Sequence, residues 1–218
     1  MRFRRKSSDA DGAVGAEVAE VDEVADGQGP SGEPTVVDDT GPHDASEVDT
    51  DELECIDLGS LLVTPVGPVE MRLTLDEDTG EVVAAVLIGE DGALELRAFA
   101  ASRGGGSWDE LRPRISAETA RIGGTATEQE GPYGRELLCL VPVQTEDGEA
   151  ATQASRITGH EGPAWLLRAT LMGQPAVDPE AAAPWDETIR RVVVRRGREA
   201  RAPGSALPLT LPPQARPV

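Results

Sequence analysis

Residues 71–100 read MRLTLDEDTGEVVAAVLIGEDGALELRAFA, and the rhythm of this stretch decides the fold. Met71, Leu73 and Leu75 alternate with Arg72 and Thr74, the period-two pattern of a strand with one buried face. Asp76 to Gly80 supplies a turn. Val82 to Ile88 is an unbroken apolar run rich in β-branched residues, Asp91-Gly92 is a tight-turn pair, and Leu94 to Ala100 alternates again with Glu95 and Arg97 facing out. Links this short join antiparallel neighbours, because a parallel pair needs a crossover of a dozen residues or more. The segment is a three-stranded meander.

On its N-terminal side, Ile56 to Val63 reads as a further, edge strand bounded by Pro65, Gly67 and Pro68. On its C-terminal side, Ser107 with Glu110 forms a capping box, which predicts a helix with Leu111, Ile115 and Ile122 on its buried stripe and Gly123-Gly124 as its stop. Pro113 should kink that helix or delay its start. Strands resume over Leu137 to Val143, Ala151 to Thr158 and Trp165 to Leu171, with turns at Glu146 to Gly148 and Gly159 to Gly162. Asp178-Pro179 is a cap and first-position pair, and Trp185, Ile189, Val192 and Val193 follow at helical spacing, with Pro184 repeating the difficulty of Pro113. The expectation is an α+β fold: meander, helix, meander, helix, in a mainly antiparallel sheet of about six to eight strands with both helices packed on one face.

Charge divides the chain. Residues 1–6 carry +4, residues 7–54 hold 16 Asp and Glu with no Lys or Arg, and the remainder is −8, giving −20 in total. A segment with so few apolar side chains cannot offset its ordering entropy. Residues 1–52 are therefore expected to form a disordered acidic arm with a basic head, residues 53–200 the domain, and residues 201–218, with five prolines, an extended tail in which Leu207 to Leu211 can lie on the body. The basic start runs straight into Ser7-Ser8-Asp9, where a signal peptide needs apolar residues, and no apolar run approaches the length of a membrane helix. The reading is cytoplasmic. Cys55 and Cys139 lie too far apart for a metal or redox motif and are read as reduced, Cys139 as a buried strand residue.

Candidate sites are few. His43 falls in the arm, and His160 in a turn beside Glu161, where it reads as a solvated turn residue rather than a general base. Metalloprotease, hydrolase-elbow, Walker and dinucleotide glycine patterns are all absent from the sequence. Gly104-Gly105-Gly106 leads into a helix start and forms either a flexible loop or an anion nest, the latter opposed by Asp109 and Glu110. Arg190, Arg191, Arg195, Arg196 and Arg198 are the concentrated basic feature and the candidate anion contact, read either as solvated groups at a helix C-terminus or as a phosphate-binding patch.

Several stretches carry a family resemblance: Leu58-Gly59-Ser60, Gly106-Ser107-Trp108-Asp109-Glu110, Glu130-Gly131-Pro132-Tyr133-Gly134, Val141-Pro142-Val143, Gly162-Pro163-Ala164-Trp165-Leu166-Leu167-Arg168 and Ala176-Val177-Asp178-Pro179. Together they resemble an actinobacterial family of uncharacterised proteins, domain of unknown function 3710, over Leu53 to Pro213. The resemblance implies an acidic arm behind a basic head, and it implies no activity, ligand or catalytic residue. The element order also looks like the Mog1/PsbP-type α+β layout, by analogy alone. The functional expectation is a non-catalytic cytoplasmic protein without cofactor or metal that engages a protein partner. Two alternatives stand beside it: a nucleic-acid-linked accessory using the C-terminal arginines, and a small-ligand-binding protein or enzyme on the open face of the sheet. Oligomeric state is not legible in the sequence.

Overall fold

The computed structural model describes residues 41–76, 80–145 and 147–210. Its elements run β1 (His43–Asp44), β2 (Ile56–Asp57), β3 (Leu61–Val63), β4 (Glu70–Leu75), β5 (Val82–Ile88), β6 (Gly92–Ala100), α1 (Ser107–Arg121), β7 (Thr125–Gly131), β8 (Gly134–Gln144), β9 (Ala150–Gly162), β10 (Trp165–Gly173), α2 (Pro179–Arg190) and β11 (Val193–Val194). A 3-10 turn at Gln174–Ala176 leads into α2.

Seven strands form an antiparallel sheet in the order β4-β5-β6-β10-β9-β8-β7. Its centre is the β6–β10 pair, in register from Gly92 opposite Gly173 to Ala100 opposite Trp165. Leu94, Leu96, Ala98 and Ala100 on β6 and Leu167, Ala169 and Leu171 on β10 share one face, all essentially inaccessible. The expected α+β fold and antiparallel meanders are present, and the chain is mostly sheet.

Three features differ from the sequence expectation. First, there is a second, mixed sheet of order β1-β11-β3-β2, in which β1 runs parallel to β11. The stretch from Ile56 to Val63 is two short strands folded back on each other, with Gly59 at φ 80° in the turn and Leu58 N–H donating to Leu61 O. Second, the helices lie on opposite faces of the large sheet. The odd-numbered side chains of β10 meet Trp185 and Ile189 of α2, whereas Leu166 joins Trp108 of α1, Leu137, Cys139 and Ile157 in a separate cluster. A sheet buried on both faces needs a helix on each, and alternation within a strand does not reveal how many faces are covered. Third, β7 is an edge strand that the sequence reading passes over.

α1 starts at Ser107 without delay and runs through Pro113. Gly106 at φ 83° is its cap residue, and Ser107, expected to cap, is the first helical residue. Glu161 on β9 supplies the cap instead, its carboxylate accepting from Gly106 N–H at 3.1 Å and Trp108 N–H at 3.0 Å. The buried face of the helix is Trp108, Arg112 and Thr119, with Leu111 and Ile115 at its margin and Ile122 exposed. A side chain on Gly159 would collide with the Trp108 ring, so glycine is what lets α1 approach β9.

The ends of the domain also extend beyond their expected limits. Residues 43–44, assigned to the arm by composition, form β1: His43 N–H donates to Val192 O at 2.9 Å and Ala45 N–H to Val194 O at 3.0 Å. Residues 206–209 of the expected tail bridge both sheets, Leu209 reaching Gly59 and Val82, and Ala206 reaching Phe99. Leu207 and Leu209 are buried. Residues 1–40 and Leu211 onward lie outside the described residues.

Trp165 fixes the N-terminal segment, its Nε1 donating to Asp44 Oδ2 at 2.6 Å. Trp165→Phe keeps an aromatic ring but removes the donor and part of the indole's bulk. It should cost about 1–3 kcal/mol, combining the lost hydrogen bond with the space left in the core. Amide exchange at His43 and Ala45 should then accelerate more than at Leu167, a contrast readable by NMR.

Candidate functional site

The chain between β10 and α2 is built by local signals. Gly173 at φ 82° turns the chain off β10, and Asp178 caps α2 by accepting from Glu180 N–H at 2.9 Å, with Pro179 in the first helical position. The cap and first-position pair is as the sequence predicts. The start of α2 then faces the β7–β8 hairpin across a cleft of about 460 Å³.

A buried charge cluster forms its floor. Arg156 on β9 places Nη2 2.5 Å from Asp186 Oδ1 on α2 and Nη1 3.9 Å from Glu136 Oε2 on β8. All three residues are buried, Glu136 to 2% exposure. Gln129 Nε2 donates to Glu136 Oε1 at 2.8 Å, while Glu136 Oε2 has no hydrogen-bond donor among the described residues. Gly131 faces the same carboxylate so closely that any side chain there would collide with it. Tyr133 O–H donates to Asp186 O at 2.9 Å, and its ring meets that of His160 edge-on, with centroids 4.5 Å apart.

Two carboxylates sharing one guanidinium leave the floor net negative. Burial raises the Asp186 carboxyl above its usual range, with Arg156 opposing the rise. The wider lining adds Glu130 and Asp178 on one side of the charge balance and Arg190 on the other, with Glu130 also meeting Arg135 at 3.5 Å just outside the cleft. Beyond the cluster the walls are apolar: Pro132, Pro175, Ala176, Val177 and Ala182.

The residues singled out from the sequence fall elsewhere. Arg190 lies at the cleft but pairs with Glu187 at 2.6 Å, and Arg191 pairs with the same Glu187 at 2.7 Å. Arg195 reaches Asp57 at 3.2 Å and Gly59 O at 2.8 Å, and Arg196 donates to Ala164 O at 3.0 Å. Arg198 is exposed and has no hydrogen bond or ion pair among the described residues. At the glycine stretch 104–106, Gly106 N–H is taken by the protein's own Glu161 and Gly105 N–H by Ser102 O. His160 is not in a turn: the strand continues through it to Gly162, and it is buried with Thr158 Oγ1 3.0 Å from its Nε2. Cys139 is buried, with Thr119 Oγ1 3.8 Å from its sulfur, and Cys55 is half-buried. No cluster of metal-ligating side chains occurs among the described residues.

Glu136, Arg156 and Asp186 were missed because charge in an alternating strand is read as outward. Asp186 carried the one usable signal. It sits four residues after Ala182 and three before Ile189, on the apolar stripe of α2, where a carboxylate needs a partner.

Two sheets closing on a shared core, with a helix on either face of the larger one, define an α+β protein rather than a parallel α/β enzyme or a closed barrel. The chain belongs to the family described as protein of unknown function, DUF3710, whose match covers residues 41–217. That match begins where the chain enters β1. No curated protein matches the chain.

Burial holds the His160 pKa down at about 4, against 6.5 for a free imidazole. The unfolded chain therefore takes up this proton at higher pH than the folded one. The stabilising contribution is complete above about pH 6.5 and is lost progressively as pH falls toward 4, about 3 kcal/mol over the full window. Denaturant titrations between pH 5 and 7 should show stability falling with acidification, and His160→Gln should flatten that slope.

Proposed function

We propose that the protein is a non-catalytic binding protein of the cytoplasm that engages a protein partner by accepting a cationic side chain in the cleft between the β7–β8 hairpin and α2. The observation that carries this reading is the pair of buried carboxylates, Glu136 and Asp186, which share Arg156 as their ion-pair partner, while Arg190 at the same cleft is itself paired with Glu187. A buried negative charge that the fold does not fully compensate is costly, and a cation from outside offsets that cost. The apolar walls suit the methylene stem of an arginine or lysine, and at the rim Asp178 and Glu130, the latter in an exposed ion pair with Arg135, add negative charge toward solvent.

The cluster is better suited to binding than to proton transfer. Asp186 is tied to Arg156, and Glu136 is tied to Gln129 and packed against Gly131, so neither carboxylate swings toward a substrate without breaking the cluster. The nucleic-acid reading draws less support, because Arg190, Arg191, Arg195 and Arg196 already have acceptors within the chain.

Short capped peptides test the cleft directly. With the full chain, an alanine pentapeptide carrying a central arginine should bind at least tenfold more tightly than its glutamate counterpart and shift the amide signals of Glu136 and Asp186. Glu130→Gln, at the rim, should weaken the arginine peptide severalfold with the protein still folded, because one charge at the mouth of a partly desolvated site is worth about 1 kcal/mol. Equal affinity for the two peptides would remove the basis of the reading.

A further inference from the structure

Among the described residues, α1 covers only half of its face of the large sheet. It packs across β7, β8 and β9, and no described helix lies over the same face of β5, β6 and the adjoining part of β10, where Ala84 alone is buried. Side chains there are Val86 and Ile88 of β5, Glu95, Arg97 and Phe99 of β6, and Arg168 and Met172 of β10, all partly exposed. Their placement follows from the register, which puts their neighbours Leu87, Leu94, Leu96, Ala98, Leu167 and Leu171 on the opposite, buried face.

Within that face two like charges stand directly opposite. Arg97 and Arg168 are cross-strand partners in the β6–β10 ladder, where like charges destabilise a sheet. Both guanidiniums lie over the Phe99 ring, at 5.7 and 5.9 Å from its centroid. Arg168 is met by Glu95 at 2.8 Å. Arg97 has no hydrogen bond and no ion pair among the described residues, and Nε is buried and unpaired on both arginines. Burial, and then Arg168, lower the pKa of Arg97, with Glu95 and then Asp76 opposing. Such a pair is unfavourable in the free protein and favourable once an anion lies between the two forks.

We propose that Arg97 and Arg168 form a binding site for a monoanionic aliphatic carboxylate, the carboxylate held between the guanidiniums beside Phe99 and the chain lying along Val86, Ile88 and Met172. Charge complementarity selects the head group. Glu95 already shows a carboxylate accepted by Arg168, so the geometry suits that group. The negative charges of Glu95 and Asp76, both of which act on Arg97, penalise a second charge on the ligand, which disfavours phosphate, partly dianionic at neutral pH. The site lies on the far face of the sheet from the Arg156 cleft and is independent of it.

The full chain is titrated with acetate, butyrate and octanoate, with octanol and inorganic phosphate as comparators, following melting temperature and the side-chain Nε–H signals of arginine. Affinity should rise with chain length, octanoate should exceed octanol and phosphate at least tenfold, and two arginine Nε–H signals should shift. Arg97→Leu and Arg168→Gln should each weaken octanoate at least tenfold. Arg97→Leu should also raise the ligand-free melting temperature, since it removes the opposed charge. Octanol binding as tightly as octanoate would reduce the site to apolar adsorption. Phosphate binding as tightly would overturn the ligand class. Octanoate binding unchanged by both substitutions, or a lower ligand-free melting temperature for Arg97→Leu, would leave the arginines as structural struts and end the proposal.

Discussion

One tryptophan joins the parts of this fold. Trp165 begins the central strand β10, is 2% exposed, and packs with the residues shared by the two sheets and α2. Its ring lies against Gly162 at the opposite side of the β9–β10 turn, where a side chain would collide with it. Its one polar atom reaches Asp44, so the same residue that fills the core also anchors the strand that arrives first in the chain. Asp44 repays the contact. Although burial pulls its carboxyl upward, hydrogen bonds from Ser46 and Trp165 hold its pKa below the usual carboxylate value. Full burial of an aromatic of this size is worth several kcal/mol only if its N–H finds an acceptor.

Much of the larger sheet was legible because its longer strands carry apolar side chains in a readable pattern: β4, β6 and β10 alternate, which fixes their phase, and β5 and β8 are continuous apolar runs bounded by turns. The Asp178-Pro179 start of α2 was legible as a cap. What was not legible failed for physical reasons. β7, Thr-Ala-Thr-Glu-Gln-Glu-Gly, has a single half-buried apolar side chain, Ala126, and is held by its ladder to β8 rather than by a core of its own. The strands of the small sheet span two or three residues, too few for any periodicity. Gly159 and Gly162 read as a turn because glycine usually punctuates, yet here each clears space for an indole ring.

The site was less legible than the fold. A strand pattern assigns polar residues to solvent, and that assignment fails once both faces of a sheet are covered. Arg156 and Glu136 alternate as outward residues should, but α2 and the β7–β8 hairpin close over them. The same logic places Arg97 and Arg168 correctly, because no described helix covers their half of the face. A chain of net charge −20 thus keeps guanidinium groups on either side of its central strands, one in a shielded ion cluster and two partly exposed on the opposite face.

The stretch 206–209 reaches back across some 150 positions of sequence to Gly59 and 127 to Val82, and β11 likewise reaches back to β1. Closing loops of that span is entropically slow, and the partners in the small sheet cannot be matched until nearly every strand of the large one has been made. During synthesis the seam between the sheets therefore stays open longest, leaving Leu58, Leu61 and Val82 wetted after the central meander has set. A chaperone or an aggregating neighbour would find its opportunity there, and the closing segment acts as the latch that ends it.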